Sequence, residues 1–313
     1  MINHQDYLSL RTFIKSSFNP TMIAIADSGA TKTDWAFINP KNEITHARTI
    51  GFNPYFIKTD GIREELKKNL FPYVNNQLVK EVYFYGAGCS TPINCDIVHS
   101  ALEDFFLNAE IDVDHDLLGA ARALLGKEKG IACILGTGSN SCSYNGSFIT
   151  ENVNSLGYVL ADEGSGAYLG KQLIRDFFLN ELPEDLKKAF DKKYNYSLEN
   201  VLNAIYDRPY PNRFLASFSY FLSANLQHEH VRNLIRNAFR AFFKHQVTKY
   251  KGYSELPVRA LGSVAWHYRE FLVGTAMEFG INMDKILQNP IDGLIEYHRP
   301  FPSAGSDRNQ STT

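Results

Sequence analysis

The chain lacks several features that would assign it to a specialised class of protein. It has only four cysteines in 313 residues, and none stand in the C-x-x-C spacing typical of zinc or iron–sulfur sites. Its formal net charge is −2, so no basic field favours nucleic acid or an anionic membrane surface. No uninterrupted apolar run approaches the roughly 20 residues of a membrane span. These absences predict a reduced, cytoplasmic globular protein without a nucleic-acid or membrane partner.

The composition favours a folded chain that is large enough for two domains. Aromatic residues make up 13% and charged residues 21%, which is typical of globular rather than disordered proteins. Residues 1–21 contain no compact apolar stretch of the kind that secretory signals have, and we expect them to be an extension before the fold. We expect the polar residues 303–313 to form a frayed tail.

The first strongly patterned stretch predicts a β-hairpin. Two apolar runs, Ile23–Ala26 and Trp35–Ile38, flank a small polar turn that begins at Asp27. Within this turn, Thr31 and Lys32 offer hydroxyl, amide and ammonium donors, which satisfy phosphate oxygens. The Asp27 carboxylate can hold a hydrated Mg²⁺ ion, a hard cation that keeps several waters. The pattern predicts a nucleotide-phosphate hairpin; the alternative is an ordinary hairpin with a solvated polar tip.

A second stretch repeats this order of strand, Gly/Thr-rich turn and strand. The strand Ile131–Leu135 is followed by the turn Gly136-Thr137-Gly138 and by a strand that ends at Tyr144. Around both hairpins, predicted strands and helices alternate, as in α/β proteins with mixed sheets. The repeat predicts two similar domains, each presenting one phosphate hairpin to a shared cleft.

Residues 184–250 form a block with helical rather than strand periodicity. Its aromatic stripes are more typical of a core than of a cofactor site. The predicted apolar faces comprise Leu198, Val201, Leu202 and Ile205; Phe214, Phe218, Phe221 and Leu222; and Leu234, Ile235, Phe239, Phe242 and Phe243.

Three motifs now support a family resemblance. Residues 27–34 and 136–140 are similar to the two phosphate motifs of the actin, hexokinase and heat-shock ATPase superfamily, and residues 260–264 resemble its adenosine motif. Further segments resemble the N-acetylglucosamine kinase-like branch of the BadF/BadG/BcrA/BcrD ATPase family: 52–53, 116–120, 156–157 and 162–165. The resemblance covers most of residues 22–300.

The resemblance implies an α/β fold of two actin-like (ribonuclease H-like) domains around a central cleft. The first domain would comprise residues 22–117 together with a returning C-terminal helix at 288–302. The second would comprise residues 118–287, with the helical block as an insertion. The resemblance further implies Mg-ATP clamped between the domains, an amino sugar as the second small-molecule ligand, and a homodimer.

Individual roles also follow from the resemblance. Asp116 would be the general base and would contact the sugar; from the residues alone, Asp116 could instead cap a helix, and Asp114 is a neighbouring candidate. Asp27 would hold magnesium through water. The ATP-binding residues would be Thr31, Lys32, Gly136, Thr137, Gly138, Ala216, Gly262 and Ser263. The sugar-binding residues would be Asn53, Leu156, Gly157 and Asp162, although Asp162 could equally cap the helix that begins near Ser165.

The implied reaction is ATP-dependent phosphorylation of N-acetylglucosamine at its 6-hydroxyl. Two departures leave the sugar open: Leu156 stands where the family has tryptophan, and Gly86-Ala87-Gly88 replaces a serine-containing turn. Kinases of N-acetylmuramic acid or another hexose are therefore alternatives. An ATPase that activates an acyl-CoA dehydratase or reductase shares the phosphate motifs, but the cysteine spacing shows no clear pair for its iron–sulfur cluster. A third alternative is a nucleotide-binding regulator without phosphotransfer.

Overall fold

The computed structural model describes residues 22–29 and 31–299. The predicted N-terminal extension and frayed tail lie outside these residues. The described strands form two five-stranded mixed sheets, so the predicted α/β class is confirmed. Each sheet belongs to its own compact unit, and the boundary falls between Asp116 and Leu117. No helix within the described part of the chain is long and apolar enough to cross a membrane.

The first unit is built around a sheet in the order β3-β2-β1-β4-β5. Strands β1, β2 and β3 form an antiparallel meander, and β4 and β5 continue the sheet parallel to β1. The strands are β1 (Met22–Ser28), β2 (Lys32–Ile38), β3 (Ile44–Ile50), β4 (Val79–Gly86) and β5 (Glu110–His115). The helical segments are α1 (Thr59–Glu65), its π-helical continuation Leu66–Leu70, the 3₁₀ turn Phe71–Tyr73 and α2 (Pro92–Phe105).

The second unit repeats the same topology. Its order is β10-β9-β6-β7-β8, again a three-stranded antiparallel meander with two further parallel strands. The repeat predicted from the two Gly/Thr turns is therefore present, although the last strand had not been predicted. The strands are β6 (Gly130–Leu135), β7 (Ser139–Tyr144), β8 (Ile149–Glu151), β9 (Val258–Leu261) and β10 (Met283–Leu287).

Helices account for most of the rest of the second unit, including the predicted block at 184–250. They are α3 (Asp116–Leu125, whose first residue ends the first unit), α4 (Gly157–Leu160), α5 (Gly166–Phe178), α6 (Glu184–Tyr194), α7 (Leu198–Tyr206), α8 (Pro211–Ser217), α9 (Ser219–Ala224), α10 (Glu229–His245), α11 (Ser263–His267), α12 (Arg269–Glu278) and α13 (Ile291–His298). A 3₁₀ turn, Val247–Lys249, follows α10.

The predicted apolar faces of this block are mostly correct. The α10 face is buried, as are Phe218, Phe221 and Leu222. The prediction for α7 is wrong in part, because Leu198 and Leu202 are exposed and only Val201 is fully buried. Leu198 and Leu202 are four residues apart and so share one side of the helix, which faces solvent, whereas Val201 and Ala204 face the core.

Buried aromatic rings hold the first sheet in place behind its turn. The centroid of the Trp35 ring lies 6.1–6.3 Å from the ring centroids of Phe37, Phe52 and Phe84. In the second unit, β6 packs under α5 and α10 through residues that include Leu135, Leu169 and Phe239. Both hairpins therefore extend from strands that are fixed by their own cores.

The C-terminal helix α13 packs closely on α3. A Cβ atom placed on Gly293 would lie 2.4 Å from the carbonyl oxygen of Ala123, so only glycine permits this approach. Farther along α13, the Tyr297 hydroxyl lies 2.8 Å from the Lys127 ammonium group. The association of residues 288–302 with the first domain stays a prediction.

Candidate active site

The tip of the first hairpin brings several charges together. In the β1–β2 register, Asp27 lies opposite Asp34. The Lys32 ammonium group lies 2.5 Å from the Asp34 carboxylate, and the Arg48 guanidinium group lies 2.7 Å from it. Asp34 therefore holds the Lys32 side chain, while Thr31 is exposed at the turn. A phosphate group at this tip would compete with Asp34 for the lysine.

The environment of Asp27 fits a cation. Burial, and after it the negative charges of Asp116 and Asp34, raise the pKa of this half-buried carboxyl to about 7, although the positive charge of Lys32 opposes the shift. A divalent ion would relieve this accumulated negative charge. No group of three or more His, Cys, Asp or Glu side chains that could hold a metal occurs among residues 22–29 and 31–299. The predicted magnesium, held through water, does not need such a group.

We expect Asp27→Asn to raise the thermal stability of the ligand-free protein in EDTA. The unfolded carboxyl titrates near 3.8 and the folded one near 7. Its stabilising contribution is therefore complete below pH 3.8 and is lost as the pH rises through 7. The melting temperature of the variant should exceed that of the wild type by a margin that widens from pH 4 to 7 and is then constant. A margin independent of pH would contradict the assigned environment.

Strand register places the predicted base at the same edge of the sheet as Asp27. Gly86, at the end of β4, pairs with Ser28 on one side and with His115 on the other. Asp116 follows directly and begins α3. Because β1, β4 and β5 are parallel, their carboxyl ends meet at one edge, where sites commonly form. The first unit therefore brings Asp27 and Asp116 together. Asp114 lies within β5, opposite Tyr85, one residue pair before the pair of Gly86 and His115.

The loop that carries Asn53 is attached to this edge. The Asn53 side-chain oxygen accepts the backbone N–H of Tyr55 at 3.1 Å. A Cβ atom on Gly88 would lie only 2.5 Å from that oxygen, and Gly88 has a φ of +88°. Glycine is thus required where the turn after β4 meets Asn53. Sequence reasoning treated this turn only as a departure from the family and missed its role in supporting Asn53.

In the second unit, the Gly/Thr turn is fixed to the start of a helix. The Gly136 carbonyl accepts the N–H of Gly166 at 2.8 Å, and the Thr137 carbonyl accepts that of Ala167 at 3.0 Å. Within the turn, the Gly136 N–H donates to the Gly138 carbonyl at 3.0 Å. The first N–H groups of α5 therefore hold the turn itself, and the Thr137 side chain is exposed.

The predicted adenosine motif lies against the same turn. Gly262 has a φ of +118°, and a Cβ atom there would approach the Leu135 carbonyl oxygen to 2.4 Å. Ser263 is exposed at the first position of α11. Ala216 is also close, because a Cβ on Gly166 would lie 3.1 Å from its methyl group. The predicted nucleotide residues of the second unit are thus gathered around Gly136.

Asp162 lies beside this turn and does not cap α5. The N-cap is Ser165, whose hydroxyl accepts the Tyr168 N–H at 3.1 Å, so the capping alternative for Asp162 is wrong. A Cβ on Gly138 would lie 3.0 Å from the Asp162 carboxylate. Burial raises the pKa of Asp162, and a hydrogen bond from the Ser139 backbone partly opposes the shift. Asp162 is 8% exposed, and its backbone φ is +60°, which is uncommon for residues other than glycine.

The remaining predicted sugar residues lie at a short surface helix. Leu156 is 56% exposed and immediately precedes α4. Gly157 begins that helix with a φ of +72°, and no neighbouring atom lies within 4 Å of where its Cβ would be. The helix is tied to α5 by a hydrogen bond from Lys171 to the Tyr158 carbonyl at 2.9 Å. Leu156 is thus free of core packing and available for a ligand.

Comparisons with known proteins decide the family. The chain matches no family model and no curated protein. Among solved structures, it is 40% identical to a protein of Porphyromonas gingivalis provisionally named an N-acetylglucosamine kinase, with a TM-score of 0.83. The match covers 89% of this chain and 98% of the other. The chain belongs to the N-acetylglucosamine kinase-like family of sugar kinases.

Two further structures show how widely this kinase-like fold recurs. A provisionally named N-acetylglucosamine kinase of Chromobacterium violaceum shares 15% identity, with a TM-score of 0.68 over 89% of this chain and 99% of the other. A provisionally named sugar kinase of Cytophaga hutchinsonii shares 16% identity, with a TM-score of 0.51 over 88% and 99%. At such identities the likeness concerns the fold alone. The N-acetylglucosamine kinase-like chain thus has the expected two-domain, actin-like architecture.

Proposed function

We propose that the protein transfers the γ-phosphoryl group of ATP to the 6-hydroxyl of N-acetylglucosamine. The observation that carries the proposal is the register that places Asp116 beside Asp27 at the carboxyl edge of the first sheet. A base and a metal-holding carboxylate are both needed for phosphoryl transfer to an alcohol. The 40% identity with the P. gingivalis protein supports an amino sugar as the acceptor.

Each residue of the proposed site has its own role in the transfer. Asp116 accepts the hydroxyl proton as the sugar oxygen attacks the γ-phosphorus and the bond from that phosphorus to the ADP oxygen breaks. Thr31 and Thr137 donate hydrogen bonds to phosphate oxygens. Lys32 adds positive charge once phosphate displaces Asp34 from it. Magnesium, held by Asp27 through water, would share the negative charge of the phosphates. Gly262 and Ser263 lie along the nucleotide, because Gly262 is in close contact with the strand end that leads into the Gly136 turn.

Asn53, Gly157 and Asp162 hold the sugar in this proposal. A carboxylate accepts two hydroxyl hydrogens well, which suits neighbouring hydroxyls of a pyranose ring. Burial raises the pKa of Asp162, and hydrogen bonds from sugar hydroxyls would stabilise its ionised form. Leu156 offers an apolar surface to the acetamido methyl group, smaller than the tryptophan of the family.

We expect an ADP-release assay to rank N-acetylglucosamine above N-acetylmannosamine, N-acetylmuramic acid and glucose. The acetamido group and the hydroxyls of N-acetylglucosamine fit the contacts proposed for Leu156 and Asp162, and the bulky lactyl ether of N-acetylmuramic acid does not. Product analysis should place the phosphate at the 6-position. Equal rates with glucose would show that the acetamido group is not recognised. Nucleotide binding without sugar-dependent ADP release would exclude the kinase altogether.

A further inference from the structure

A chain of buried hydroxyl groups joins the first phosphate hairpin to the loop that carries Asn53. The Phe52 backbone N–H lies 2.9 Å from the Ser28 hydroxyl. That hydroxyl lies 2.8 Å from the Thr33 hydroxyl, which in turn lies 2.8 Å from the Ile50 carbonyl oxygen. Ser28 and Thr33 are both 0% exposed, so water cannot replace either partner. We name Ser28 and Thr33, with these bonds, the hydroxyl relay.

The two ends of the relay determine its direction. A backbone N–H can only donate, and a carbonyl oxygen can only accept. Thr33 therefore donates to Ile50, so its single hydrogen is used, and Ser28 must donate to Thr33. Ser28 in turn accepts from Phe52. Because each hydroxyl has a single hydrogen to donate, removal of either hydroxyl interrupts the ordered chain of donors.

The relay lies between two groups with separate proposed ligands. Ser28 directly follows Asp27, and Thr33 is two residues beyond Thr31, on the strand that leaves the phosphate turn. Phe52 directly precedes Asn53, which is proposed to hold the sugar. A backbone hydrogen bond from Gly51 to the Thr31 carbonyl, 3.0 Å long, joins the same two segments. A movement of the hairpin would therefore displace Asn53.

We propose that Ser28 and Thr33 are positioning residues that couple nucleotide binding at the first hairpin to sugar binding at Asn53. The inference rests on the proposed function for the identity of the two ligands. When phosphate orders the hairpin, the relay holds the Phe52 amide and so fixes the Asn53 side chain for the sugar. By linkage, the sugar must strengthen nucleotide binding by the same factor.

Sequence reasoning gave no role to Ser28. It lies between the predicted metal-holding aspartate and Gly29, where only a small residue was required. An alanine would satisfy that steric requirement equally well. The serine instead accepts the Phe52 N–H, which would otherwise be buried without a partner.

The variants Thr33→Val and Ser28→Ala interrupt the relay from opposite ends. Thr33→Val keeps the size of the side chain and leaves the Phe52 amide bonded to Ser28, whereas Ser28→Ala removes the acceptor of that amide. Thr33→Ser retains the hydroxyl and should therefore retain the coupling between the two ligands. The matched control is Ser141→Ala in the second unit, because Ser141 is also 0% exposed and also makes two side-chain hydrogen bonds.

The decisive measurement is calorimetric titration of N-acetylglucosamine with and without AMPPNP and Mg²⁺. We expect AMPPNP to tighten sugar binding to the wild type, Thr33→Ser and Ser141→Ala about tenfold, equivalent to about 1.4 kcal/mol. The enhancement should fall below about twofold in Thr33→Val and Ser28→Ala. If both variants keep the wild-type enhancement, or if the wild type shows none, the inference is overturned.

Hydrogen exchange at the Phe52 amide separates this inference from the proposed function. AMPPNP alone should slow that exchange in the wild type and Thr33→Ser, but not in Thr33→Val. If N-acetylglucosamine fails to bind the wild type, the proposed sugar is wrong, and the exchange result still tests the relay. Equal slowing in Thr33→Val would show that the hydroxyls only stabilise the fold.

Discussion

Asp116→Asn should lower turnover by about a hundredfold to ten-thousandfold, the usual contribution of a positioned general base. The amide has nearly the same shape but cannot accept the proton of the sugar hydroxyl. Nucleotide affinity should persist, because the proposed phosphate donors are elsewhere. The negative charge of Asp116 also raises the pKa of Asp27, so the substitution should lower that pKa and extend nucleotide binding to lower pH. Single-turnover kinetics and nucleotide titrations between pH 5 and 8 would measure both effects.

The matched control for this prediction is Asp114→Asn. Asp114 lies in β5 opposite Tyr85, two residues before the proposed base, and was the other candidate in the sequence. We expect Asp114→Asn to retain turnover within about tenfold, because it leaves the base in place. If Asp114→Asn is inactive and Asp116→Asn is active, the two assignments must be exchanged. If both are active, neither carboxylate is the base.

Gly262→Ala should destabilise the second unit and weaken nucleotide binding together. The glycine has a φ of +118° and a ψ of 163°, a conformation that is essentially limited to glycine and costs other residues about 1–3 kcal/mol. The added methyl group would also lie 2.4 Å from the Leu135 carbonyl oxygen, so β6 must move. Because Leu135 leads into the Gly136 turn, that movement disturbs the proposed phosphate site. We expect a fall in melting temperature on the order of 10 °C and at least about tenfold weaker ATP binding.

Gly274→Ala is the control, because it adds the same methyl group in open space. Gly274 lies in the interior of α12, and no atom lies within 4 Å of the position of its Cβ. Alanine is favoured over glycine in a helix by about 1 kcal/mol, so the variant should be slightly more stable and bind ATP normally. If Gly262→Ala bound ATP as the wild type does, the proposed adenosine motif would be misplaced.

Most of the secondary structure was predictable because local patterns and tertiary packing agree. The apolar runs of β1 and β6 are central strands buried on both faces, as such runs predict. Among the strands and α-helices, β10 and α4 were not predicted. The strand β10 has only five residues, and its two adjacent charged residues, Asp284 and Lys285, break the alternation that would mark a strand. The helix α4 is a single turn. Leu198 and Leu202 were assigned to a core face but are exposed.

Sequence determined the class of this protein, because the small glycine- and threonine-containing turns after β1 and β6 are local patterns that can be read without knowing the tertiary structure. Tertiary structure alone decided which groups meet. The pairing of Gly86 with both Ser28 and His115 brings Asp27 to Asp116, the Asp162 carboxylate lies beside Gly138, and the two buried hydroxyls bind the Asn53 loop to the hairpin. These contacts join residues far apart in the chain. Their partners depend on strand order and register, and no local pattern encodes that order.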